Sequence, residues 1–165
     1  MLLKLLEKLG RMRIIYDRDN VQPYMYRYYL LFKDKLTDEE KARDLPFNIM
    51  LHKICLSDPD ELHDHPWWYA TLILKGGYWE IKPEGKFWRG VGHFRISSPQ
   101  SLHRLEIPEG SDGAWTLFFR GFKVRDWGFI KNGQWIFHRD YLERRKLAKQ
   151  ETAQSLNEQK EFKQV

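Results

Sequence analysis

The feature that most constrains this chain is the spacing of its turn residues. From Gly76-Gly77 onward the punctuation recurs at short intervals: Pro83-Glu84-Gly85, Gly90-Val91-Gly92, Pro108 to Gly113, and Asn132-Gly133. The runs between are short and rich in Trp, Tyr, Phe, Ile and Leu, which suit strands better than helices. Asn-Gly is itself a strong tight-hairpin signal. A chain cut into such pieces buries its apolar faces sheet against sheet, so the spacing predicts an all-β barrel or double-sheet jelly roll. The 15% aromatic content supplies strand formers and, in a barrel, walls for a ligand cavity.

The expected strands cover residues 13–17, 24–32, 47–56, 70–75, 78–81, 94–107, 115–119 and a last hairpin within 127–137. In the second strand Tyr24, Tyr26 and Tyr28 share one face, and Met25, Arg27 and Tyr29 the other. Alternation alone does not say which face is inside, so Arg27 is either an anion anchor within the barrel or a surface residue. Leu2, Leu5, Leu6 and Leu9 recur at helical spacing up to Gly10, giving an N-terminal helix over 1–10 that packs on the barrel or on a partner subunit, which admits a homodimer. Thr37-Asp38-Glu39-Glu40 is a capping box for a helix over 38–44, stopped before Pro46. Residues 1–140 are expected to form one domain. Residues 141–165, mostly Glu, Lys, Gln, Arg and Ala, are expected to be an exposed helical or partly disordered tail.

The net charge of +5 allows anionic partners, but no block of five or six Lys or Arg occurs. An ordinary solvated surface is the expectation, with no nucleic-acid partner. The single Cys55 excludes an intramolecular disulfide and fits a reducing compartment. No apolar run is long enough to span a membrane, and Lys4, Glu7 and Lys8 interrupt the leucine-rich start, so neither a membrane segment nor a signal peptide is expected. A cytoplasmic location follows by default.

Chemistry concentrates in Leu62-His63-Asp64-His65-Pro66-Trp67-Trp68-Tyr69. Residues two apart in extended chain point the same way, so His63 and His65 aim two imidazoles at one place. His103, in a later strand-like run, is the candidate third. Three imidazoles can hold a divalent transition metal while leaving positions for water or substrate. Bound to one ion, their nitrogens would stand about 3–3.5 Å apart. Without a metal, the pair reads as ordinary polar filling. His52 is expected to be structural, or to support a ligand at most.

These residues resemble the cupin motifs. The first is Gly, five residues, His-x-His, three or four residues, Glu, six residues, Gly, and the second includes Pro-x-Gly-x-x-His. His63 and His65 match the His-x-His, Gly76 the closing glycine, and His103 the second-motif histidine. Pro99 is one residue nearer than the pattern wants, and Ser101 stands near the glycine. Tyr69 occupies the place of the usual ligand glutamate. The resulting three-histidine set is similar to that of the thiol dioxygenases, and the wider run resembles small cupins of phage and bacterial genomes.

The resemblance implies a cupin-type jelly-roll barrel with short peripheral helices and a metal held by His63, His65 and His103. Fe(II) is the first choice, with Zn, Ni or Mn also compatible. The implied function is a dioxygenase-type oxidoreductase acting on a small anionic molecule. Glu80 is the carboxylate that could replace the missing ligand. Tyr69 is expected to hydrogen-bond at the centre, Trp67 and Trp115 to wall the cavity, Arg27 and Arg120 to pair with a substrate anion, and Asp64 to serve a structural role. The competing function is a non-catalytic cupin that binds or sequesters a small molecule or nucleotide.

Overall fold

The computed structural model describes residues 1–33, 46–59 and 61–162. The capping box and helix expected over 38–44 lie outside the described residues. The elements in chain order are α1 (Leu2–Lys8), β1 (Met12–Tyr16), β2 (Pro23–Tyr29), β3 (Asn48–Ile54), β4 (Trp67–Lys75), β5 (Gly77–Lys82), β6 (Gly85–Gly90), β7 (Phe94–Ser97), β8 (Arg104–Glu106), β9 (Ala114–Lys123), β10 (Gly128–Lys131), β11 (Gln134–Phe137) and α2 (His138–Phe162). A six-stranded antiparallel sheet runs β1-β2-β3-β9-β4-β7, a three-stranded sheet runs β6-β5-β8, and β10-β11 is a separate hairpin. This is the jelly-roll barrel the turn spacing predicts. No described helix is long and apolar enough to cross a membrane.

Two turns show why the sequence folds here as it does. Gly76 is the one residue between β4 and β5, where the chain leaves the large sheet for the small one. It has φ +71°, and a Cβ there would lie 2.2 Å from the Gly113 carbonyl oxygen, so only glycine fits this corner. Asn132 and Gly133, at φ 52° and 75°, form the turn of the β10–β11 hairpin. Positive φ at both central residues is what a type I′ turn requires.

The burial of β3 alternates strictly, with Asn48, Met50, His52 and Ile54 inside. Its registers with β2 and β9 then stack the interior in levels. Met25, Ile54 and Ala114 share one level. Arg27, His52 and Thr116 share the next, so the face that alternation left open resolves with Arg27 inside. Asn48 and Arg120 lie at the far end, where Arg120 also opposes Tyr69 of β4. The apolar end closes over a cluster of Met25, Ile54, Ile73, Tyr78, Leu105 and Ala114. On the outer face, Tyr28 stacks on Trp115 at 6.1 Å and hydrogen-bonds Glu7 of α1. Trp115 is therefore an outer-face residue, not a cavity wall: it alternates with the inward Ala114 and Thr116. Of Leu2, Leu5, Leu6 and Leu9, only Leu6 is buried.

Candidate metal centre

His63 and His65 precede β4 in extended chain. The backbone holds them in place: His63 exchanges both amide hydrogen bonds with His103, at 2.9 and 3.0 Å, and the His65 N–H donates to Pro99 at 3.0 Å. Asp64 alternates to the opposite side, where it is 2% exposed. It accepts from the Gly128 N–H at 2.7 Å, the Trp135 indole N–H at 3.0 Å and Arg125. One buried carboxylate thus pins the β10–β11 hairpin against the histidine segment, and Ile130 adds a backbone bond to Leu62.

The three imidazoles form a nearly equilateral cluster, with ring centroids 5.0, 5.1 and 5.2 Å apart. One nitrogen from each can be chosen so that all lie within 4.8 Å of one another. His65 Nε2 and His103 Nε2 are 2.8 Å apart. That pair is tighter than the expected 3–3.5 Å, at hydrogen-bond distance. Burial lowers the pKa of His63 to about 4, and burial with the neighbouring histidines lowers that of His65, so both rings are neutral at physiological pH. Neutral imidazole is the metal-binding form.

Glu80 does not face the cluster as a ligand. Its side chain is 1% exposed, and its oxygens accept from His103 Nδ1 at 3.0 Å, from Arg89 Nε at 2.9 Å and from Arg95. Burial alone would raise its pKa. The hydrogen bond from His103 and the charge of Arg95 outweigh that and hold it at about 2. An ionised carboxylate can only accept, so His103 carries a proton on Nδ1 and turns Nε2 toward the other two rings. Arg95 also donates to the Tyr69 hydroxyl at 2.9 Å, and that hydroxyl lies 3.4 Å from His103 Nε2. Tyr69 is 2% exposed, and burial first of all raises its pKa, so it remains a phenol.

No protein-family model matches the sequence, and no curated protein matches it. The fold, however, is similar to solved structures. A structure of FeII HppE matches with a TM-score of 0.50 and 15% identity, over 67% of this chain and 57% of that one. A cupin-2 domain protein from Rhodospirillum rubrum matches at 0.48 and 14% identity, over 70% of each chain. The polyketide cyclase RemF from Streptomyces resistomycificus matches at 0.45 and 14% identity, over 59% of this chain and 65% of that one. The chain thus spans 65% and 57% of the RemF and HppE chains it matches. The fold is a cupin barrel.

Within this cupin barrel the three histidines face a cavity of about 1770 Å³. Arg27, His52, Trp67, Tyr69, Thr116 and Arg120 all line it. Arg120 stacks over Trp67 with its guanidinium carbon 5.1 Å from the ring. Among the described residues the Trp67 indole nitrogen and the Thr116 hydroxyl are buried without a hydrogen-bond partner, leaving two polar groups on the wall for a ligand to satisfy.

Several of these roles escaped the sequence. The placement of charge is one. The cavity wall carries ten Arg and Lys against four Asp and Glu, a larger surplus than the whole chain has with 28 against 23. The surplus of positive charge lies along the cavity wall, several of its cations being solvent-exposed. Arg95 was missed because β7 reads as Phe94-Arg95-Ile96-Ser97, which suggests apolar residues inside. Here Phe94 and Ile96 are 60% and 65% exposed, and Arg95 and Ser97 face in. The first turn of α2 is part of the wall too, since Tyr141 is 4% exposed and stacks on Phe129 at 4.3 Å.

Proposed function

We propose that this cupin is a metal-dependent, oxygenase-type enzyme that acts on a small anionic substrate, with Fe(II) held by His63, His65 and His103. The observation that carries this function is a cluster of three imidazoles, with no carboxylate among them, facing a cavity whose wall is predominantly cationic. His63, His65 and His103 would hold a divalent metal without cancelling its charge, and the metal would supply Lewis-acid and redox chemistry toward an anionic substrate. HppE, the solved structure with the TM-score of 0.50, is an FeII protein, which is consistent with iron.

The residues divide the work. Glu80, fixed by Arg89 and Arg95, orients His103 through Nδ1. Tyr69 keeps its proton and offers a hydroxyl beside the cluster. Trp67 supplies apolar wall and an unused N–H, and helps to exclude water from the reacting atoms. Arg27 and Arg120 are placed on the wall to meet a substrate anion.

The test is oxygen uptake by iron-loaded protein across thiols, amino acids, keto acids and nucleotides, compared with the His63→Ala, His65→Ala double variant. Uptake confined to the wild type with an anionic compound supports the proposal. A second function, binding or sequestration without turnover, is favoured by the cavity volume, which exceeds the roughly 300–1,000 Å³ of ordinary small-molecule sites. Tight binding of one panel member, unchanged by loss of the histidines and without oxygen uptake, would establish that function instead.

A further inference from the structure

Two arginines stand directly opposite each other inside the barrel. Arg13 of β1 and Arg27 of β2 are cross-strand partners in the antiparallel register, and both line the cavity. Directly opposed side chains have Cβ atoms about 4.5–5.5 Å apart, and like charges so placed destabilise the sheet. Among the described residues the Arg13 side chain has no hydrogen bond or ion pair. That of Arg27 has one hydrogen bond, Nε donating to His52 Nε2 at 3.2 Å. His52 is 3% exposed and, as a neutral imidazole, offers Arg27 an acceptor but no neutralising charge. Its bond instead fixes the guanidinium and leaves the two terminal NH₂ groups of Arg27 available. Thr116, on the same level across β3, is 1% exposed with its hydroxyl unpartnered, and it also lines the cavity. Asp58, an acid on this wall, is engaged by the Tyr24 hydroxyl and the Leu105 N–H.

We infer that Arg13 and Arg27, with the Thr116 hydroxyl, form a clamp for a phosphate-type dianion carried by the ligand. Two opposed guanidinium groups match a dianion with several acceptor oxygens better than a single carboxylate, since each fork can take its own pair of oxygens. Binding would replace a like-charge repulsion with charge-assisted hydrogen bonds. This deepens the proposed function by naming the substrate class. It rests on the cavity being the ligand site and not on oxygen chemistry.

The experiment is calorimetric titration of the full-length protein with inorganic phosphate at fixed ionic strength, with acetate as the monoanion control, alongside thermal melts. Phosphate should bind and raise the melting temperature, while acetate should not. Arg13→Gln and Arg27→Gln should each weaken phosphate binding at least tenfold, without lowering the melting temperature of the phosphate-free protein, because each relieves the repulsion. Thr116→Val, which keeps the shape and removes the hydroxyl, should weaken binding several-fold. Phosphate binding that is absent, that acetate equals, or that neither arginine variant changes would overturn the clamp. His65→Ala separates the two ideas. It should keep the phosphate response, so a failed oxygen-uptake test with phosphate binding intact would refute the oxygenase and leave the clamp standing.

Discussion

The two ends of the barrel interior are built on the same strands and do opposite things. At one end Met25, Ile54, Ile73, Tyr78, Leu105 and Ala114 pack without charge. At the other, His63, His65, His103, Tyr69, Glu80 and Arg95 form a connected polar network. On β4, Ile73 and Tyr69 lie on the same inward face four residues apart, yet one belongs to the apolar floor and the other to the polar end. Burial is nearly complete at both, 1% and 2% exposed. Burial therefore does not distinguish structure from chemistry here. The distinction is what each buried group finds as a partner: apolar side chains find each other, and the polar ones find hydrogen bonds whose remaining capacity faces the cavity.

Substitutions at the two ends should therefore have separable effects. The largest is expected at the histidines. His65→Ala should reduce metal affinity by orders of magnitude while leaving the melting temperature of the metal-free protein close to the wild type, as read by metal titration and thermal denaturation. Ile73→Ala should do the reverse, costing about 2–4 kcal/mol of stability through lost apolar contact and a residual cavity, with metal affinity retained. A variant that lost both properties together would break the comparison.

Glu80→Gln sharpens the boundary between the ends. It keeps an acceptor but removes the charge that fixes the His103 tautomer and that faces Arg89 and Arg95. Metal affinity should fall about 10–100-fold.

Acid should act at the polar end in two stages. His63 has its folded pKa lowered to about 4 from 6.5, so below pH 6.5 the unfolded chain binds more protons than the folded one. Stability of the metal-free protein is then fully present above pH 6.5 and falls as the pH drops toward 4. His65 acts in the same direction. Glu80, lowered to about 2 from 4.5, adds a second loss between pH 4.5 and 2. Urea unfolding across this range is the check, and His63→Gln should flatten the upper stage.

The smallest effect is expected on the outer face. Ile96→Thr, at a position 65% exposed on β7, should stay within about 0.5 kcal/mol and leave metal binding unchanged.

Much of the fold was legible because its signals are local. Asn132-Gly133 and Gly76 mark turns because these residues tolerate positive φ, and His63 and His65 point together because extended chain alternates. What failed to read was long-range. Alternation in β7 was visible, but which face turned inward depended on Glu80 and Tyr69, which lie on other strands and receive Arg95. Glu80 was visible as the spare carboxylate, but its position behind His103, instead of among the three histidines, is set by the pairing of β5 with β8. Trp115 is as aromatic as Trp67, and only the register of β9 separates the outer stack from the cavity wall. The clustering of charge is the plainest case, since its arginines and lysines are scattered from Arg13 to Arg145 and meet only when the barrel closes.

The central claim, that the three-histidine end is a metal centre, is tested most directly by elemental analysis of protein purified without added metal. Wild type and His65→Ala should be prepared side by side. A divalent transition metal close to stoichiometric in the wild type and lost from the variant is the predicted result. Wild-type protein without metal that also fails to take up iron, zinc, nickel or manganese on titration, or equal metal in both proteins, would contradict it.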